Sequence, residues 1–425
     1  MEDQRKYILK DWQIKKFATY GFLKNLKFFE PYLIIYLTGN NITLLQIGIL
    51  YSICQVIVNV FEIPSGFIAD YFGRKNELNF CFLMYIISFV FFFYSSTFGI
   101  AVIAIIFFGL GEAFRSGTHK AMIFTYLEEK NWTEYKTFVY GKTRSASLIG
   151  SAISSILSII IILNVPSNGY IFLVSIIPYF LDFILILTYP KSLNCAAKKT
   201  KVSVKQMIQT LFHSVRINKN LRHLLIGEGL FEGSISSIKD FIQPILEAII
   251  LGSGVVLFAN INPDAALNQE ANLKIILGVV YMAINLVGSI SSRNSYKLKR
   301  HASGAFWINL IFAGLVITLA SLGLLINYYY IVIVCYLIIY IMQNLRKPIF
   351  IDELDSNMLK NERATMLSIA SQLKSLFIII AAPIIGWVSD SYGINYAVIG
   401  LGIILLLSIP FTWINGQKKK LDRSK

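Results

Sequence analysis

Apolar residues run in blocks of about 20 along the whole chain, separated by short polar stretches. Each block is long enough to cross a hydrocarbon core of about 30 Å at about 1.5 Å per residue. The pattern predicts twelve spans, at 17–39, 43–68, 78–97, 100–127, 138–163, 169–189, 224–251, 273–292, 303–326, 329–350, 364–388 and 394–415. Alternating ten-residue segments, the mark of a membrane barrel, do not occur. Backbone groups in lipid must be satisfied within each segment, so the blocks are predicted to be helices. The expected fold class is an all-α integral membrane protein of twelve transmembrane helices.

One polar interruption, 190–223, is longer than the others and divides the spans six and six. The predicted organisation is an N-terminal six-helix bundle at 1–189, a cytoplasmic linker at 190–223, and a C-terminal six-helix bundle with a basic tail at 224–425. Within the linker Val204, Met207, Ile208, Leu211, Phe212 and Val215 recur at helical spacing behind Ser203, with Lys205, Gln209, His213 and Arg216 elsewhere on the wheel. That is an amphipathic helix, lying along the membrane surface or docked on the helix ends. The stretch 252–272 is expected to be a long outside loop.

Composition and charge narrow the partners. With 55% hydrophobic and 15% charged residues, a water-soluble domain is excluded. A net charge of +15 alone would admit nucleic acid, but the basic residues are sorted by side. Of the 39 lysines and arginines, only Lys274 falls outside, and Lys24, Lys27, Arg115, Lys239 and Lys374 lie within spans. The remainder sit on the side of the termini, in tails, loops or the cytoplasmic ends of spans 4, 5 and 10, which predicts both termini in the cytoplasm of a prokaryotic plasma (inner) membrane. The expected partner of the basic excess is the lipid bilayer, not nucleic acid. The first span reads as an uncleaved signal anchor. Cys54, Cys81 and Cys335 lie in apolar spans and Cys195 in a cytoplasmic loop, so no disulfide framework is expected. His119, His213, His223 and His301 lack ligand spacing, and no metal or cofactor is expected.

The stretch GFIADYFGRK, between spans 2 and 3, packs two glycines, an acid and two bases into ten residues. A positive-inside loop accounts for Arg74 and Lys75 but not for Gly66, Asp70 and Gly73. The glycines allow a tight turn, and Asp70 suits the positive end of a helix. The spacing G-x3-D-x2-G recurs as Gly386, Asp390 and Gly393 in GWVSDSYG, after span 11. Spans 2 and 11 are each the second helix of a three-helix unit, and the two units are expected to have opposite orientation.

GFIADYFGRK resembles the loop motif G-x3-D-x2-G-R-[KR] of the major facilitator superfamily, in the expected place among twelve spans. The preceding FEIPS, together with FFEPYLIIYL and GEAFRSGTHKAMIF, resembles spans 2, 1 and 4 of bacterial, exporter-like members. The resemblance implies the two-bundle fold of that superfamily, and a gating loop in which Gly66, Asp70, Gly73, Arg74 and Lys75 latch the halves on the cytoplasmic side in one state. Two segments depart from the pattern. SSRNSYKLKRH after span 8 keeps only bases. The fifth span, GKTRSASLIGSAISSIL, lacks the glycine-proline pattern of proton-antiporting exporters and offers only the small residues Gly150, Ala152 and Ser154 for close packing.

A charge within a span costs about 2.5 to 3.5 kcal/mol on insertion scales and needs a reason. Span 1 carries Lys24, Lys27 and Glu30; span 4 carries Glu112, Arg115 and His119; span 7 carries Glu228, Glu232, Lys239 and Asp240; span 10 ends with Gln343, Asn344, Arg346 and Lys347. On continuous helices Glu112, Arg115 and His119 form one stripe, and Glu228, Glu232 and Lys239 another. The resemblance implies that these four spans line a central cavity. Candidate coupling and cavity residues are therefore Glu30, Glu112, Arg115, Lys27, Glu228, Glu232, Gln343 and Asn344. Helix-to-helix neutralisation is the simpler account of Lys24, Lys239 and Asp240, and Glu62, Asp182 and Lys374 are expected to be structural or near the interface.

The expected function is secondary active transport of a small molecule by alternating access. No G-x4-G-K-[ST] loop occurs, so ATP is not the direct drive, and protons acting on Glu30 or Glu112 are the expected source. Export of an amphipathic compound is the first reading. Uptake or facilitated diffusion of a polar metabolite is the alternative within transport, and a transport-inactive membrane sensor the alternative from another class. No clustered nucleophile and base is present, so an enzyme is not expected. The protein is expected to be a monomer.

Overall fold

The computed structural model describes residues 2–115, 117–194, 218–253, 265–298, 314, 317, 329–356 and 363–412. The expected linker helix at 203–215, nearly all of span 9 and the basic tail lie outside them. Among the described residues every regular element is an α- or 3-10 helix. The helices are α1 (Glu2–Lys10), α2 (Trp12–Lys24), α3 (Leu33–Gly39), α4 (Leu44–Phe72), α5 (Arg74–Phe93), α6 (Phe98–Arg115), α7 (Thr118–Glu129), α8 (Lys136–Asn164), α9 (Tyr170–Leu187), α10 (Lys219–Ile238), α11 (Ile242–Ser253), α12 (Ala265–Leu298), α13 (Tyr329–Ser356), α14 (Arg363–Tyr392) and α15 (Ile394–Leu407). Seven membrane-crossing helices, by length and composition, occur among the described residues.

Spans 2, 3, 5, 6 and 11 are each one helix, α4, α5, α8, α9 and α14. Spans 1, 4 and 7 are broken, each near the charges that the sequence places inside it. Span 1 is α2, a 3-10 turn at Glu30–Tyr32 containing Pro31, and α3. Proline lacks the N–H that would continue the ladder. Span 4 divides at Gly117, whose φ of +78° lies in the left-handed region. Span 7 divides between Ile238 and Ile242, just before Pro244. The expected outside loop is shorter than 252–272: α12 begins at Ala265, and Lys274 pairs with Glu270 one turn earlier at 2.8 Å.

GFIADYFGRK is mostly helix rather than loop. α4 continues to Phe72, Gly73 alone turns the chain at φ +91° and ψ 142°, and α5 starts at Arg74. The second run of the same spacing folds identically: α14 ends at Tyr392, Gly393 turns at φ +103° and ψ 151°, and α15 starts at Ile394. The echo in sequence is an echo in backbone.

The chain divides into two compact units. Unit 1 comprises Met1–Lys199, Asp240–Leu286 and Ala382–Asp390; unit 2 comprises Thr200–Lys239, Val287–Ala381 and Ser391–Lys425. In unit 1, α5 lies against α6 and α9, α4 against α6, and α2 against α8 and α9. Aromatic rings fill the interior, with Phe82, Tyr85 and Phe89 of α5 all meeting Tyr179 of α9 at centroid distances of 5.7, 5.2 and 4.9 Å. α2 approaches α8 through two glycines: a Cβ on Gly21 would strike Ser147, and one on Gly150 would strike the backbone of Phe22. The same face of α8 carries a run of serines whose hydroxyls return to their own helix, Ser147 to Thr143 O, Ser151 to Ser147 O, Ser155 to Ser151 O and Ser158 to Ser155 O. The opposite face of α8 exposes Ile149, Ile153, Ile156 and Ile160, and α9 exposes Ile177, Phe180, Leu181 and Ile184. Apolar stripes of that length are lipid-facing surfaces. In unit 2, α10 packs on α13 and α15. Gly229 and Gly233 of α10 lie against Leu373 and Phe377 of α14, where a Cβ would sit 2.9 and 2.6 Å from a side-chain carbon.

Candidate functional site

Unit 1 holds a compact cluster at the end of α6. The Arg115 Nη2 sits 2.6 Å from Glu112 Oε2, one turn back on the same helix. The Tyr85 hydroxyl donates to Glu112 Oε1 at 2.7 Å and accepts from Arg115 Nε at 3.2 Å. The three groups close a triangle, which holds both charges while leaving side-chain exposures of 30% and 21% for Arg115 and Glu112. Lys24, buried on α2, and half-buried Lys27 act on the charge of Glu112 from the facing side. His119 does not continue the predicted stripe, because the break at Gly117 separates it from Arg115. It belongs to α7, where its ring stacks on Tyr20 at 3.6 Å and lies 3.3 Å from the Tyr189 hydroxyl.

Glu30 opens the 3-10 turn of span 1. Its backbone carbonyl accepts from Gln243 Nε2 at 2.9 Å, and Gln243 Oε1 accepts from Ile34 N at 2.8 Å. Gln243 Nε2 also bonds to the Tyr281 hydroxyl at 2.9 Å, and the hydroxyls of Tyr281 and Tyr51 each donate to Asp240 at 3.1 Å. Gln243 is fully buried. This network, running from the break in span 1 to the break in span 7, was not anticipated. One signal was present: each break has an acid or amide directly before proline, Glu30-Pro31 and Gln243-Pro244.

Asp182 was expected to be structural or near the interface. It is buried among α2, α5 and α9 at 0% exposure, with no hydrogen-bond partner at either carboxyl oxygen. Lys24 is the base whose charge reaches it.

In unit 2 the span 7 and span 10 residues meet. Arg346 of α13 is fully buried, donates through Nη1 to Glu228 Oε2 and through Nη2 to Gly227 O at 3.3 Å, and lies 4.0 Å from the Phe231 ring centroid. One turn along α10, Glu232 Oε2 accepts from Gln343 Nε2 at 2.8 Å, while its Oε1 is buried without a partner. The charge of Lys374 acts on both acids. Asn344 turns away and bonds to Tyr340 O on its own helix at 2.9 Å, beside Gly288.

The gating-loop residues serve contacts within unit 1. Arg74 donates to Thr125 Oγ1 at 2.9 Å, and Lys75 Nζ donates to Leu187 O at 2.6 Å and Tyr189 O at 3.0 Å, at the C-terminal end of α9. Asn194 Oδ1 caps α5 by accepting from Lys75 N at 3.0 Å. The environments of Gly66 and the Asp70 side chain lie outside the described residues. The equivalent acid, Asp390, caps the start of α4 instead, accepting from Leu44 N at 3.1 Å and Leu45 N at 2.8 Å. Gly48 and Gly386 let the two helices meet backbone to backbone beside that cap.

Comparison with known proteins decides the family. The model of the Major Facilitator Superfamily matches residues 22–373. The chain belongs to this superfamily. Among its members, the Uncharacterized MFS-type transporter YxaM of Bacillus subtilis (strain 168) is 31% identical over 90 residues, 21% of this chain and 23% of that relative. The matched stretch thus spans less than a quarter of that relative's length. Three solved superfamily structures share the fold at 11–13% identity. The nucleoside transporter NupG aligns with TM-score 0.72 over 95% of this chain and 100% of its own. A bacterial homolog to the human lysosomal transporter Spinster aligns with 0.71 over 95% and 96%, and a D-xylose-proton symporter with 0.69 over 95% and 98%. The twelve-helix superfamily fold is therefore the fold of this chain, and superfamily membership points to a multi-pass membrane transporter.

Proposed function

We propose that the protein moves a small amphipathic molecule out of the cell by proton-coupled alternating access, with both termini cytoplasmic and the chain acting as a monomer in the plasma membrane. The observation that carries the reading is the pair of broken spans, 1 and 7, each with polar residues at its break. Discontinuous helices present backbone polar groups at depth, where a substrate or coupling ion is bound. The charges nearby balance: Glu112 has Arg115, and Glu228 has Arg346. Balanced charge suits a substrate of small net charge. In this reading the two six-helix halves on either side of the 190–223 linker rock against each other, and the Gly66–Lys75 segment latches them on the cytoplasmic side.

Glu30 is the proposed proton site, with Glu112 second. Glu112 is committed to Arg115 and Tyr85, whereas Glu30 sits on a turn whose backbone bonds are supplied by another segment. Protonation there is linked to any movement of that segment. In proteoliposomes with an imposed pH gradient, Glu30→Gln is expected to abolish substrate accumulation and to spare substrate exchange. Accumulation by the variant would remove Glu30 from the coupling step and pass the test to Glu112.

Uptake of a polar metabolite is the second reading, favoured by the hydroxyl and amide groups of Tyr51, Tyr281 and Gln243 and by the similarity to a nucleoside transporter and a D-xylose-proton symporter. The same assay, run in both directions with both substrate classes, separates the two. Absence of transport of either class would favour a sensor. For the topology, single cysteines at Asn41 and Asn168 are expected to react with an impermeant thiol reagent from outside, and one at Lys199 is not; outside labelling at Lys199 would overturn it.

A further inference from the structure

In a continuous helix Ile34 N–H would bond to the carbonyl of Glu30, four residues back. At the break in span 1 the Gln243 amide occupies that place. Its Oε1 takes the Ile34 N–H at 2.8 Å and its Nε2 gives a proton to Glu30 O at 2.9 Å. Because Ile34 N is only a donor and Glu30 O only an acceptor, the amide has one workable orientation. The second Nε2 hydrogen is directed at the Tyr281 hydroxyl, 2.9 Å away. The inserted amide belongs to α11, which lies against α3. A segment distant by 209 residues therefore completes the ladder of span 1.

We propose that Gln243 is a detachable link in span 1: engaged, it bridges the break and fastens α11 to α3; released, it lets the two helices part and frees the Glu30 carbonyl and Ile34 amide. The proposal rests on the alternating-access reading, since a permanent structural amide would never let go. Gln243 is a positioning residue here, acting on Glu30 through the backbone. A buried donor and acceptor are costly to leave unmade, so release requires new partners or water at the break. Glutamine meets the requirement because an ionised carboxylate in its place would accept from Ile34 and repel Glu30 O. The charged and titratable groups facing the position are Glu30, Asp240, Tyr281 and Tyr51.

The test uses the full chain in lipid nanodiscs, with hydrogen exchange of the Ile34 amide and spin labels at Asn41 and Ala248 reporting the α3–α11 distance. In Gln243→Met the Ile34 amide is expected to exchange about tenfold faster or more, and a longer-distance population is expected to grow. Gln243→Glu carries its own control, read as protection relative to the intrinsic exchange rate at each pH: at about pH 9 it should match the Met variant, and at about pH 5 the protonated carboxyl, with one donor and one acceptor, should restore wild-type protection and the short distance. Wild-type exchange and distances in the Met variant, or no pH effect in the Glu variant, would overturn the link. Neither readout needs substrate or a proton gradient, so failure of proton coupling in the transport assay is a separate result.

Discussion

The charged clusters of the two units solve the same problem differently. In unit 1 the pair Glu112–Arg115 lies on one helix, is partly exposed and is closed by Tyr85. In unit 2 the pair Glu228–Arg346 joins two helices, is almost fully buried and leaves the adjacent Glu232 with one oxygen unpartnered. The first arrangement is local: it survives movement between helices because all but the tyrosine travel together. The second fixes the separation of α10 and α13, since desolvated charges part only at great cost. On the proposed transport reading, unit 1 keeps its charges together through a rearrangement and unit 2 uses them as a fastening.

The largest test of that contrast compares Arg346→Met with Arg115→Met. Removing Arg346 strands Glu228 in the interior and is expected to cost about 3 to 5 kcal/mol, with Glu228→Gln added to the same chain recovering much of it. Removing Arg115 from its half-open pair is expected to cost about 1 kcal/mol or less. Thermal unfolding in detergent reads both, and equal losses would erase the distinction. A sharper probe is Gln343→Leu, which takes the remaining donor from Glu232; a loss of about 1 to 3 kcal/mol is expected. An unchanged midpoint would mean that Glu232 contributes nothing to the fastening. The smallest effect is expected at Asp182, an acid without a hydrogen-bonding partner. Asp182→Leu should shift stability by less than about 1 kcal/mol, and in the stabilising direction, because no bond is lost and an apolar residue suits the site. A large loss there would show that Asp182 holds a bond that matters to the fold.

Much of this architecture was legible in the residues. Apolar block length gives the helices, and the repeated spacing of Gly66, Asp70 and Gly73 in Gly386, Asp390 and Gly393 gives two corners of the same shape. The breaks were harder to see. A stripe through Glu112, Arg115 and His119 assumes one continuous helix, and the positive φ at Gly117 that interrupts it is a backbone choice that hydropathy does not register. Long-range partners were hidden for another reason. Asp390 caps Leu44 and Leu45 across more than three hundred residues, and Gln243 reaches Ile34 across two hundred. In both cases the receiving groups are backbone amides, which every residue carries and no sequence marks. The pairing of Glu228 with Arg346 was not foreseen either: the sequence places both among the charges of spans 7 and 10 but does not say which base meets which acid.

The serines of α8 have a mechanical consequence. The hydroxyls of Ser147, Ser151, Ser155 and Ser158 donate to carbonyls of their own helix, so this face spends most of its donors internally. Ser155 also accepts from across the gap, from Asn285 Nδ2 at 3.1 Å. Ser154, on the same stretch, is buried with its hydroxyl unpartnered, so one polar group there is left for a neighbour to meet. The donors of this face are therefore largely consumed inside α8, and the Ser155–Asn285 bond ties it to α12.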